Sequence, residues 1–140
     1  MKHALRLGFL IGIASCASGG RSQDGGSGSP ESRIERGRYL AHEVAMCVQC
    51  HTPRREDGSL ETLKLFEGAS VPLASPFPQS PWTFRAPHIR GLPGYTEEDG
   101  IRLLSEGITR NGTPPSPPMP PFRMSRADAA AVVAYLKSLD

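Results

Sequence analysis

Aromatic residues are scarce in this chain of 140: they make up 6%, with one tryptophan. Little aromatic surface means little side-chain material from which to build a core. Cysteine is sparse and odd in number, at 3, which excludes a fully paired disulfide scaffold. Charge of either sign barely prevails: the formal net charge is +2, too little for a nucleic-acid-binding surface. No apolar run reaches the roughly 18 residues of a membrane-spanning helix, which excludes a polytopic helical membrane protein. The excess lies elsewhere, in 15 glycines and 14 prolines. The length allows one domain. A small, aromatic-poor, Gly/Pro-rich domain needs something beyond its own side chains to hold it together.

The first residues read as an address. Lys2 and Arg6 form a basic start, Leu7-Gly8-Phe9-Leu10-Ile11-Gly12-Ile13 is a short apolar run, and Ala14-Ser15-Cys16 supplies small residues for cleavage. Ile13-Ala14-Ser15-Cys16 resembles a bacterial lipobox, which implies a signal peptide over 1–15 and a lipid on Cys16. The alternative is an ordinary leader cut near Ala17 or Ser18. A lipid would tether the chain to a membrane without spanning it. Ala17 rather than Asp after the cysteine favours, by the same resemblance, the outer membrane over the inner. Losing Lys2 and Arg6 with the leader brings the formal charge to zero. Residues 16–30 then form a Gly/Ser-rich linker with nothing to pack, and a folded head is expected over 31–140.

Three helices are expected in that head. Over 32–46, Gly37, Leu40, Ala41, Val44 and Cys47 share one side. Over 97–106, Thr96 and Asp99 form a capping pair, Ile101, Leu104 and Ile108 give the apolar stripe, and Gly107 is a stop. Over 126–139, Ser125 and Asp128 cap a run whose buried face is Ala129, Val132, Val133, Leu136 and Leu139. Between them lie two proline-rich connectors, 52–95 and 114–121. Proline removes amide donors and blocks regular structure, so these connectors need a surface to lie on.

Cys47-Val48-Gln49-Cys50-His51 is C-x-x-C-H, the attachment signature of c-type haem. Two thiols at this spacing can add to the two vinyl groups of one porphyrin, and the adjacent histidine offers a ring nitrogen to the iron. The apolar porphyrin then stands in for the missing core. A thiol–disulfide pair is one competing reading, but the strand–helix–strand context it needs is missing. Half of a zinc site is another, but no second Cys/His pair follows. For the far axial position the candidates are Met46, Met119, Met124, His42 and His88. Met46 and His42 stand too close to Cys47 to reach around a porphyrin. Met124 borders the last helix and reads as core. Met119, in Pro117-Pro118-Met119-Pro120-Pro121, is favoured because stiff flanking prolines can project one thioether without reorganisation. Trp82, Arg85 and His88 are candidates to face a propionate.

These blocks together resemble a class I monohaem cytochrome c, similar to dehydrogenase- and oxidase-associated cytochrome c domains. They are Arg36-Gly37-Arg38-Tyr39-Leu40-Ala41, Cys47–His51 with Thr52-Pro53, Ala86-Pro87-His88-Ile89, Gly94-Tyr95-Thr96, Glu106-Gly107-Ile108, Pro118-Met119-Pro120 and Ala134-Tyr135-Leu136. The resemblance implies an all-α cytochrome c fold, with three main helices and irregular loops wrapped around one covalent haem c. It implies a crossing of the first and last helices near Gly37 and Tyr135, and His51 and Met119 as axial ligands. It implies an electron-transfer protein, not an enzyme, in the bacterial periplasm. Expected partners are a dehydrogenase, a quinol-oxidising complex, or a terminal oxidase or reductase, with no nucleic acid. Residence as one subunit of a dehydrogenase or oxidase complex is the alternative. Relatives often carry Asn where this chain has His88.

Overall fold

The computed structural model describes residues 28–77 and 79–140. The leader, Cys16 and the linker as far as residue 27 lie outside the described residues.

Helix α1 (Pro30–Tyr39) starts two residues before the expected position. Ser29 explains why: its hydroxyl accepts from the Ser32 amide at 3.2 Å, and Pro30 takes the first position, where its missing N–H costs nothing. The helix continues into a wider turn at Leu40–Val44, where the Ala45 amide reaches back five residues to the Leu40 carbonyl at 2.8 Å. Met46 then takes a left-handed conformation, φ 54°, which separates this turn from the short helix α2 (Cys47–His51). The single helix expected over 32–46 is therefore a helix, a widened turn and a break. The Cys-x-x-Cys-His segment has its own short helix.

Helix α3 (Glu97–Glu106) has the bounds the sequence implies. The Thr96 hydroxyl accepts from the Asp99 amide and the Asp99 carboxylate accepts from the Thr96 amide, each at 3.1 Å. Gly107, φ 67°, ends it. Helix α4 (Arg126–Lys137) is capped by Ser125 and closes slightly before the expected 139.

Helices α1 and α4 form the main packing pair, with α3 on the other side of α4. A Cβ at Gly37 would land on the Ala131 carbonyl and 2.8 Å from Tyr135 Cβ, so only glycine permits this approach. The expected crossing at Gly37 and Tyr135 is present. Arg36 ties the pair at the surface through Asp128 at 3.0 Å. The core is built from Leu40, Ala41, Val48, Leu104 and the buried face of α4, with Phe66 fully enclosed.

The long connector contains two short antiparallel strands, β1 (Ala69–Ser70) and β2 (Arg85–Ala86). Elsewhere it is anchored by single hydrogen bonds. The Thr52 hydroxyl accepts from the Phe66 amide at 3.1 Å, and the Phe66 carbonyl accepts from Ile89 and Arg90. Among its described residues the connector also has one antiparallel bridge between Arg54 and Leu60 and a single 3-10 turn at Thr62–Lys64, so its regular structure is short and scattered.

Candidate functional site

Cys47, Cys50, His51 and Met119 line one cavity of about 410 Å³. They reach it from opposite ends of the chain: the first three from α2, the last from the proline-rich segment before α4. Val71, Ile89, Leu92, Leu104, Phe122 and Leu136 make much of its wall apolar, and among the described residues no Asp or Glu lines it.

His51 is 7% exposed. Its Nδ1 lies 2.8 Å from the Pro87 carbonyl, which can only accept, so Nδ1 carries the proton and Nε2 keeps its lone pair. Burial holds the imidazole below its ordinary pKa, and the Pro87 hydrogen bond offsets this only in part. The ring is therefore neutral and oriented, the state in which histidine binds a metal. The Gly68 amide fixes the backbone behind it by donating to the His51 carbonyl at 2.8 Å.

Cys47 and Cys50 are each partly buried and are not joined in a disulfide. Burial pushes the Cys47 thiol up to about 11, assisted by Cys50 and opposed by a backbone hydrogen bond. Redox-active Cys-x-x-Cys pairs have depressed thiol pKa values, so the disulfide-exchange reading loses support. Among the described residues, no group of three or more His, Cys, Asp and Glu side chains is close enough to hold a metal ion. A flat apolar macrocycle fits: two thiols on one wall, a neutral imidazole beside them, a thioether from the proline-rich segment, and acid-free apolar sides.

The other candidates separate cleanly. Met124 packs against the core outside the cavity, and its amide donates to the Leu104 carbonyl at 3.0 Å. His42 turns to the α1–α4 crossing, its Nε2 2.8 Å from the Tyr135 hydroxyl and its ring edge-on to Phe66. Met46 lines the cavity but is 45% exposed, next to Cys47. His88 and Arg85 line the cavity, the former with Nε2 2.9 Å from the Arg90 carbonyl. Trp82 does not line it; its indole N–H donates to the Leu73 carbonyl at 2.9 Å.

Two features escaped the sequence reading. Tyr95 lines the cavity and carries the Arg110 guanidinium over its ring at 5.4 Å, while Arg110 donates to the Gly94 carbonyl at 2.6 Å. The Pro87 carbonyl orients His51, and no local pattern marks a carbonyl for such a role.

Residues 34–140 match the cytochrome c family. Among curated proteins, the fructose dehydrogenase cytochrome subunit of Gluconobacter japonicus is 29% identical over 114 residues, covering 74% of this chain. The cytochrome c subunit of the quinone-dependent alcohol dehydrogenase of Gluconobacter oxydans (strain 621H) is 29% identical over 142 residues, covering 96% of this chain. The chain spans only 21% and 27% of the lengths of these two relatives. With the family match extending from α1 through α4 and the attachment motif on the cavity wall, the chain belongs to the cytochrome c family, whose members carry covalently bound haem c and transfer electrons.

Proposed function

We propose that this chain is a one-electron carrier whose single haem c is bonded to Cys47 and Cys50, with His51 and Met119 as its axial ligands. The observation that carries this reading is the convergence of those four side chains on one apolar cavity. Haem iron with a His/Met pair exchanges single electrons, and the thioether raises its potential.

Each residue has a defined task. The two thiols fix the group to α2, so it cannot be exchanged. His51 offers Nε2, with its ring direction set by the Pro87 carbonyl. Met119, which lines the same cavity, would supply a soft, uncharged sulfur to the group. An apolar wall would limit water around the group and so keep the rearrangement that accompanies electron exchange small. Arg85 and His88, which both line the cavity, would be available to face haem carboxylates.

We place the protein in a bacterial periplasm, tethered through a lipid on Cys16 with the outer membrane favoured, and the linker holding the head off the surface. Both relatives are cytochrome subunits of dehydrogenases, which favours a dehydrogenase as the electron donor. The same observation supports a second reading, in which this chain is a standing subunit of such a complex. Co-purification of a dehydrogenase in stable stoichiometry selects the second reading; isolation of the cytochrome alone with full reducibility selects the first. Mass spectrometry of the membrane-extracted protein is expected to find one haem mass on the peptide holding Cys47 and Cys50, and acyl chains on Cys16. A chain with free thiols at 47 and 50 overturns the carrier reading, and an unacylated Cys16 overturns the tether.

A further inference from the structure

Six of the eight residues in 114–121 are proline. Such a segment has almost no amides with which to fasten itself. Of its two remaining N–H groups, that of Met119 is turned inward, to the Ser116 carbonyl at 3.2 Å. At its borders, Thr109 bonds to the Thr113 carbonyl at 2.8 Å and Met124 to the Leu104 carbonyl at 3.0 Å. Between those borders, among the described residues, one hydrogen bond joins the segment to a distant part of the chain: the Thr83 amide donates to the Pro117 carbonyl at 2.7 Å.

Thr83 stands at the start of a short stretch that also reaches His51. Two residues on begins β2, and β2 leads directly into Pro87, whose carbonyl orients His51. The stretch is itself pinned, because the Phe84 carbonyl accepts from Val71 at 2.8 Å and β2 pairs with β1. Five residues therefore hold one end against the His51 ring and the other against the Met119 segment.

We propose that residues 83–87 act as a brace between the two axial ligands, with Thr83 as the positioning residue for Met119 through its backbone N–H. The proposal rests on Met119 being the axial ligand. The prolines restrict the segment's shape, but stiffness alone does not set its distance from the iron, and the Thr83 bond does. A net contribution typical of one hydrogen bond corresponds to about a 2- to 10-fold change in equilibrium.

The test uses the intact haem-loaded protein and imidazole as a competitor for the methionine position. Thr83→Pro removes the N–H, and Thr83→Ala keeps it. Imidazole affinity for the ferric protein should rise about 2- to 10-fold in Thr83→Pro, with a weakened near-infrared methionine-to-iron band, and hold at the wild-type value in Thr83→Ala. Equal affinities in all three overturn the brace. Should Thr83→Pro fail to fold, amide hydrogen exchange decides. Coupling is reciprocal, so the Thr83 amide should be protected in the wild type and exchange faster in Met119→Ala. An unprotected Thr83 amide, or one indifferent to Met119→Ala, overturns the brace. Survival of the near-infrared band in Met119→Ala instead removes the ligand assignment on which the brace depends, a result distinguishable from both.

Discussion

His51 and Met119 line the same cavity, but the chain presents them by opposite means. His51 sits on α2, is 7% exposed, accepts a backbone bond at its carbonyl from Gly68, and has its ring fixed by the Pro87 carbonyl. The same side of the chain includes α1, which crosses α4 where Gly37 lets two backbones touch. Met119 sits in a segment without helix or strand, whose tie to a distant element is the Thr83 amide. The near wall is held by packing and hydrogen bonds together. The far wall is held by restricted proline dihedrals and one bond. Under the proposed ligation this division would have a use: the covalent, histidine side would fix where the group sits, and the methionine side would set how it is tuned.

Removing both thiols, by Cys47→Ser with Cys50→Ser, should have the largest effect because it takes away what joins the two walls. Covalent haem should disappear entirely, and the helical circular dichroism of the chain should fall with it. A fully helical, cooperatively melting chain without haem would mean that the walls do not need the group between them.

Gly37→Ala comes next. Alanine improves helix propensity by up to about 1 kcal/mol, but the obstacle to its Cβ is the Ala131 carbonyl, which is backbone and cannot swing aside. Overpacking should dominate, with a net loss of about 1–3 kcal/mol in denaturant unfolding. The near-infrared band should be retained in the folded fraction, because the damage falls on the near wall alone. Loss of the band without loss of stability would break the division between the walls.

The smallest effect concerns His42, at the back of the near wall. Burial, then the Arg38 charge, lowers its pKa, with Glu43 opposing. Between the lowered folded value and the ordinary value of 6.5, the unfolded chain binds more protons, so stability is full above that window and falls as pH drops through it. Unfolding of the haem-loaded protein followed from pH 7.5 downward should show this decline, and His42→Gln should flatten it. Identical profiles would assign the decline to other groups.

Much of this architecture is legible in the sequence where its cause is local. Thr96, Asp99 and Gly107 fix the ends of α3 because caps act within four residues. Cys47, Cys50 and His51 announce the near wall because their chemistry demands that spacing. Ser29-Pro30 also carries a start signal, although its place after a Gly/Ser run makes it read as linker. What is not legible has distant causes. The break at Met46 occurs without a glycine, and the chain has no local mark for the wide turn at Leu40–Val44. β1 and β2 are two residues each, too short to show alternation. The roles of the Pro87 carbonyl and the Thr83 amide belong to backbone atoms, which every residue has and which only the fold can select. Trp82 illustrates the converse: its side chain is conspicuous in the sequence, yet it bonds to Leu73 away from the cavity.

The central claim is that one cavity holds a haem between His51 and Met119, and the optical spectrum of purified Met119→Ala tests it most directly. The account predicts that haem remains covalently attached, the near-infrared methionine-to-iron band vanishes, and the ferrous protein binds carbon monoxide at neutral pH where the wild type does not. A variant that keeps the band and refuses carbon monoxide would contradict it.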